Sequence, residues 1–163
     1  MRYVIREKFF RITEDSDITD DMGRPVFHVR GKLLSLHHTL IMSDLAGNEV
    51  YTVHKRLVAL RPTFEITRAG QEAAEVRKKL LAFFGEHFTI DIPGPDDLEV
   101  QGNIFDHEFT VSRGGQVVAT ISKRWFSITE TYGVDVAPGQ DDALILAAVL
   151  ALDLTEDEER EHN

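Results

Sequence analysis

The cations of this chain recur in pairs. Lys55-Arg56, Lys78-Lys79 and Lys123-Arg124 follow the glycines Gly47, Gly70 and Gly115, with the same Gly-to-Lys spacing each time. Cations converging from neighbouring strands could clamp a phosphate or another anion, arginine as a planar fork and lysine as a point charge. The competing reading is architectural. Lys55, Lys78 and Lys123 would lay their aliphatic stems along a core, while Arg56, Lys79 and Arg124 solvate an outer face.

The carboxylates are the second chemical resource. Asp91, Asp96, Asp97 and Glu99 flank the turn Pro93-Gly94-Pro95. Such oxygens can ligate a divalent cation, but acids beside a turn of this kind ordinarily cap it. Asp15-Ser16-Asp17-Ile18-Thr19-Asp20-Asp21 loosely mimics a calcium loop, without the glycine at the sharp turn or the closing glutamate. No metal and no cofactor are expected.

Nucleophiles are poorly marked. Cysteine is absent, so thiol chemistry and Cys-ligated zinc are excluded. His28, His54, His87 and His107 show no metal spacing, and His37-His38 would point to opposite faces of a strand. Ser35, Ser43, Ser112, Ser122 and Ser127 lie in no nucleophile elbow, and nothing in the sequence pairs one of them with a histidine and an aspartate. No catalytic constellation is legible, and the expectation is a protein that is not an enzyme.

The elements that carry the paired cations come from an internal repeat. Gly47–Leu57, Gly70–Leu80 and Gly115–Trp125 each place Asn or Gln after the glycine and a β-branched residue before the dibasic pair. Each is followed by a second apolar run: Thr63–Ile66, Phe88–Ile92 and Tyr132–Val136. Taken alone, Glu72–Phe84 reads as an amphipathic helix, rich in Ala, Glu, Lys and Leu. The other copies, rich in Val, Thr, Ile and Trp, read as strands. One unit repeated should have one structure, so the middle copy is read as a strand, with a helix as the alternative.

Alternation then assigns faces. Tyr51/Ala74/Ala119, Val53/Val76/Ile121, Lys55/Lys78/Lys123 and Leu57/Leu80/Trp125 share one face, apolar apart from its lysines. Thr52/Glu75/Thr120, His54/Arg77/Ser122 and Arg56/Lys79/Arg124 share the other, polar one. Further strands are expected at Tyr3–Arg6, Phe9–Ile12, Val26–Gly31, Thr39–Met42, Glu99–Ile104 and Glu108–Ser112. Glycine-bearing turns separate them. Antiparallel strands with one wet face favour a closed barrel.

Ala143–Leu152 breaks the alternation. Asp141 or Asp142 can cap a helix there, and that helix is apolar on every side, so it must be buried all round. A mainly β fold follows, an antiparallel barrel around one buried helix. Residues 1–154 form a single domain with its central helix at about 141–154, and 155–163 form an acidic tail, frayed or disordered.

Composition bounds the partners. The 163 residues hold 18 Lys and Arg against 28 Asp and Glu, a net charge of −10. That sum argues against a nucleic-acid partner, which calls for basic surface to replace counterions. The first residues are charged too early for a secretory signal. The run Ala143–Leu152 would span only about half a bilayer at roughly 1.5 Å per residue, so no transmembrane segment is expected. The expected location is cytoplasmic.

Several segments together resemble the LURP-one-related family. They are Phe88–Gly94, Asp97–Val100 with Gly102-Asn103, Lys123–Ser127, Thr131–Val136 and Asp141–Ala147, and the likeness extends from Tyr3 to Asp153. That family is similar to the tubby C-terminal domain and the phospholipid scramblases. The resemblance implies a closed twelve-stranded antiparallel barrel around a hydrophobic C-terminal helix. It also implies a binding module, non-enzymatic, recognising an anionic ligand such as a phosphoinositide or phospholipid headgroup at a membrane surface. An intracellular protein-interaction or regulatory domain is the alternative, and an enzyme of unknown chemistry the third. Scramblases carry a calcium segment before the helix. Here Asp135–Asp142 lacks its dense alternating acids, and the helix ends in Glu156-Asp157-Glu158-Glu159 rather than a membrane anchor.

Overall fold

Alternating apolar and polar residues fold into antiparallel strands that close on themselves. The computed structural model describes residues 1–6, 15–34, 37–56, 63–79, 86–94, 97–104, 106–125 and 131–162. Among these are twelve strands: β1 Arg2–Arg6, β2 Ser16–Asp20, β3 Pro25–Leu34, β4 His37–Ser43, β5 Glu49–Lys55, β6 Thr63–Arg68, β7 Gln71–Lys78, β8 Glu86–Asp91, β9 Leu98–Asn103, β10 Glu108–Arg113, β11 Gln116–Ser122 and β12 Thr131–Val136. One helix follows, α1, Asp142–His162. Each strand pairs with its successor, and β1 pairs with β12 to close the barrel.

The repeat predicts the middle copy correctly. Gln71–Lys78 is a strand although its composition favours helix, because Val76 stands between Phe64 of β6 and Ile90 of β8. Packing against cross-strand neighbours outweighs local propensity. The inward face is also as expected: Tyr51, Val53, Ala74, Val76, Ala119 and Ile121 are at most 3% exposed.

The lumen is filled by α1. Ala147, Ala148 and Ala151 are 0–1% exposed, and so are Leu146, Val149, Leu150 and Leu152 around them. The small residues let the helix backbone approach the wall. Asp141 caps the helix, accepting a hydrogen bond from the Leu144 N–H at 3.1 Å. The Tyr51 hydroxyl donates to Asp141 Oδ2 at 2.9 Å and the Tyr3 hydroxyl to Asp142 Oδ2 at 2.5 Å. The helix entrance is thereby tied to β5 and β1.

Four expectations change. The helix does not stop near 154 but continues to His162. Glutamate is a good helix former, so a helix already nucleated in the lumen propagates through the acidic residues. Ser16–Asp20, where no strand was expected, is a strand, with Ile18 fully buried, Asp17 paired with His28 in mid-strand and Asp20 at the turn. Trp125 does not continue the apolar face. β11 ends at Ser122, and the Arg2 guanidinium lies 4.0 Å from the Trp125 ring centroid. The outer face is also less wet than the pattern predicts, since Glu75 and Ser122 are only 7% and 5% exposed. The expected strand Phe9–Ile12 lies outside the described residues, as do Leu57 and Leu80.

Candidate functional site

Strands β5, β7 and β11 run in the same direction, because neighbours in the closed sheet are antiparallel. Their C-terminal ends therefore reach one rim. Lys55-Arg56, Lys78-Lys79 and Lys123-Arg124 all stand there. Around that rim they are unevenly spaced. One strand separates β5 from β7, about 10 Å from centre to centre. Three strands separate β7 from β11, about 19 Å along the wall. Two pairs are neighbours, and the third stands apart.

Each outer cation faces a carboxylate on a nearby strand. Arg56 Nη1 lies 2.8 Å from Glu75 Oε2, and Arg77 Nε lies 3.2 Å from Glu75 Oε1. Arg77 also binds Asp91. Lys79 Nζ is 3.3 Å from Glu99 Oε1, and Arg124 Nε is 3.8 Å from Glu108 Oε1. Glu108 is held in place by the Ser122 hydroxyl and the Lys123 N–H. Lys78 places its ammonium 5.9 Å from the Phe88 ring centroid, and Lys55 and Lys123 are half-buried. The inner lysines thus fit the architectural reading, while Arg56, Lys79 and Arg124 keep side-chain exposures of 56%, 41% and 85%.

The wall beside β5–β8 is densely charged. His54 and Glu65 are direct cross-strand partners, Glu65 faces Glu75, and Glu75 faces Asp91. Desolvation, then the like charges of Glu75 and Glu65, hold the Glu72 carboxyl above the usual glutamate range. The cations here are compensated rather than left in excess.

The carboxylates considered for a metal do not assemble. Asp91 is committed to Arg77 and Glu99 to Lys79, while Asp97 accepts from the Ile92 N–H at 3.1 Å and closes the turn. Asp96 lies outside the described residues. Among the described residues, no group of three or more His, Asp or Glu is placed to hold a metal ion. No helix among them is long and apolar enough to cross a membrane.

A sequence model described as LURP-one-related matches residues 1–153, nearly all of the barrel and its helix. The chain belongs to the LURP-one-related family. It is also 28% identical over 150 residues to an uncharacterized protein, YxjI, of Bacillus subtilis (strain 168). That similarity covers 92% of this chain and 90% of the other.

The LURP-one-related barrel holds a further polar cluster that the sequence did not announce. Asp153, 4% exposed in the helix, has Oδ1 2.8 Å from His107 Nε2, and its Oδ2 accepts from the Tyr132 hydroxyl. The two rings stack, with centroids 4.2 Å apart. The available signal was the single acid set between the apolar run Ala143–Leu152 and Leu154 of α1. A buried carboxylate there requires partners, but which ones depends on contacts across the barrel.

Proposed function

We propose that this LURP-one-related protein is a binding module whose basic rim recognises an anionic headgroup, phosphoinositide or phospholipid, at the cytoplasmic periphery of a membrane. The observation that carries the reading is the repeat itself, which sets Lys55-Arg56, Lys78-Lys79 and Lys123-Arg124 at the same end of three strands. Glu75, Glu99 and Glu108 hold the outer cations in defined positions. A phosphate carries more charge and more acceptors than a carboxylate, so it can displace these partners. The net charge of −10 confines any such contact to the rim and makes it sensitive to salt.

The test is co-sedimentation with phosphatidylcholine vesicles with and without phosphatidylinositol bisphosphate. Binding that needs the phosphoinositide, and is lost in Arg56→Ala/Lys79→Ala/Arg124→Ala, supports the reading. Absence of binding by the parent protein overturns it.

A second reading, a docking surface for a protein partner, draws on the opposite rim. Met22 and Leu45, on the turns after β2 and β4, are 75% and 57% exposed. The two turns are successive along that rim, and a partner that covers both side chains would bury them together.

A further inference from the structure

The outer wall of β2–β5 carries an arrangement independent of the basic rim. Asp17 of β2 is the direct cross-strand partner of His28 of β3, and His28 is the direct partner of Ser43 of β4. Directly opposed residues in an antiparallel pair project from the same face. The chain thus sets Asp, His and Ser in one row, in that order. His28 Nδ1 is hydrogen-bonded to Asp17 Oδ1. A carboxylate only accepts, so the Nδ1 proton belongs to the imidazole and Nε2 is left as a base.

Two irregularities bracket the row. The pairing of β2 with β3 shifts register between Ile18 and Thr19, and that of β4 with β5 between Met42 and Ser43. Bulges re-aim side chains locally and gather beside functional sites. Asp17, His28 and Ser43 also line a common groove of about 590 Å³, within the range of small-molecule sites. Half-buried Ile41 lines it as well, and the Arg30 guanidinium stands beside it, with Nε 3.9 Å from Asp15 Oδ1.

We propose that Asp17, His28 and Ser43 form a serine-hydrolase site for small carboxylic esters. Ser43 Oγ attacks the ester carbonyl while its proton passes to His28 Nε2. Asp17, a positioning residue, holds Nδ1–H and stabilises the imidazolium. Arg30 faces the oxygen that gains negative charge. The carbonyl–alkoxide bond then breaks, and the alcohol leaves with the proton from Nε2. Water attacks acyl-Ser43, gives its proton to Nε2, and the acid departs as Ser43 recovers its hydroxyl. Asp15, Asp17 and Glu49 around the groove select a neutral or cationic ester over an anionic one. Ser43 makes no hydrogen bond to His28 in this ligand-free structure. Their Cα atoms are about 5 Å apart as cross-strand partners, and such contacts commonly tighten when substrate binds.

The test uses the full chain with p-nitrophenyl acetate and, separately, a fluorophosphonate probe read by peptide mass spectrometry. The expected result is turnover above buffer and probe on Ser43. Ser43→Ala and His28→Ala should each lose at least about 100-fold in kcat, in line with removal of a catalytic base or nucleophile. Asp17→Asn should lower kcat with KM unchanged. Ser112→Ala, on the far wall, should keep full activity. No turnover by the parent with no label on Ser43, or full activity in Ser43→Ala, overturns the proposal.

Discussion

His107 Nε2 and Asp153 Oδ1 lie 2.8 Å apart inside the barrel, joining the turn before β10 to a buried turn of the helix. Both side chains are at most 5% exposed. Asp153→Ala removes one member of a buried, hydrogen-bonded cluster and leaves His107 and the Tyr132 hydroxyl facing an apolar gap. The expected loss is about 3–5 kcal/mol. Equilibrium urea unfolding measures it, and Asp153→Asn, which retains an acceptor, should lose less.

The other end of the helix responds to alkali. Burial, then the hydrogen bond and charge of Asp142, raise the Tyr3 phenol above its ordinary value. Burial, then Asp141, do the same for Tyr51. A raised folded-state value means that the folded chain holds the proton more tightly. This stabilisation is complete below the unfolded phenol value of about 10 and is lost as pH rises through the folded values. Thermal unfolding from pH 8 to pH 12 should show stability falling above about pH 10. Tyr3→Phe/Tyr51→Phe should flatten that fall and cost about 1.5–3 kcal/mol per lost hydrogen bond at neutral pH.

Gly102 has φ +136, and a Cβ there would lie 2.7 Å from the Glu108 carbonyl oxygen and from the Phe109 Cα. Both obstacles are backbone and cannot swing aside. Gly102→Ala should cost at least about 2 kcal/mol from the backbone conformation alone, read as a lower urea midpoint.

Glu75 holds Arg56 and Arg77 at once. If the rim recognises anions, Glu75→Gln releases the Arg56 guanidinium, while Arg77 keeps Asp91, and should strengthen binding to phosphoinositide vesicles several-fold at low salt. Unchanged or weaker binding would count against an anion site at this part of the rim.

The helix packs at the limit of its space. Ala147 is fully buried in the lumen. Ala147→Leu inserts a larger side chain between backbone and wall, with an expected cost of about 1–3 kcal/mol. Calorimetry would show the fall in Tm.

What was legible in the sequence follows from range. Gly47–Lys55, Gly70–Lys78 and Gly115–Lys123 are copies of one local pattern, so the repeat identified β7 against its own composition. The helix was visible because Ala143–Leu152 is apolar on every side. Its end was misplaced because acids read as a solvated tail even where helix propensity carries on. The pairing of His107 with Asp153 spans 46 residues and depends on helix rotation within the lumen, which no local pattern encodes. Asp17, His28 and Ser43 come into line through the register of β2 with β3 and of β3 with β4, which pairs residues far apart in the sequence. β2 was not among the expected strands because its acids hid a single inward-facing apolar residue, Ile18.

The enclosed helix also has a consequence for synthesis. The strand that closes the sheet, β12, and the helix that fills it are synthesised after the other eleven strands. Until then, the earlier strands have an apolar inner face and nothing to cover it. Closure of the barrel must therefore wait until α1 has been made, and the open sheet is exposed to aggregation in the interval. A stall or stop codon before Asp142 yields a wall without its filling, and such a product should aggregate rather than persist as a smaller domain.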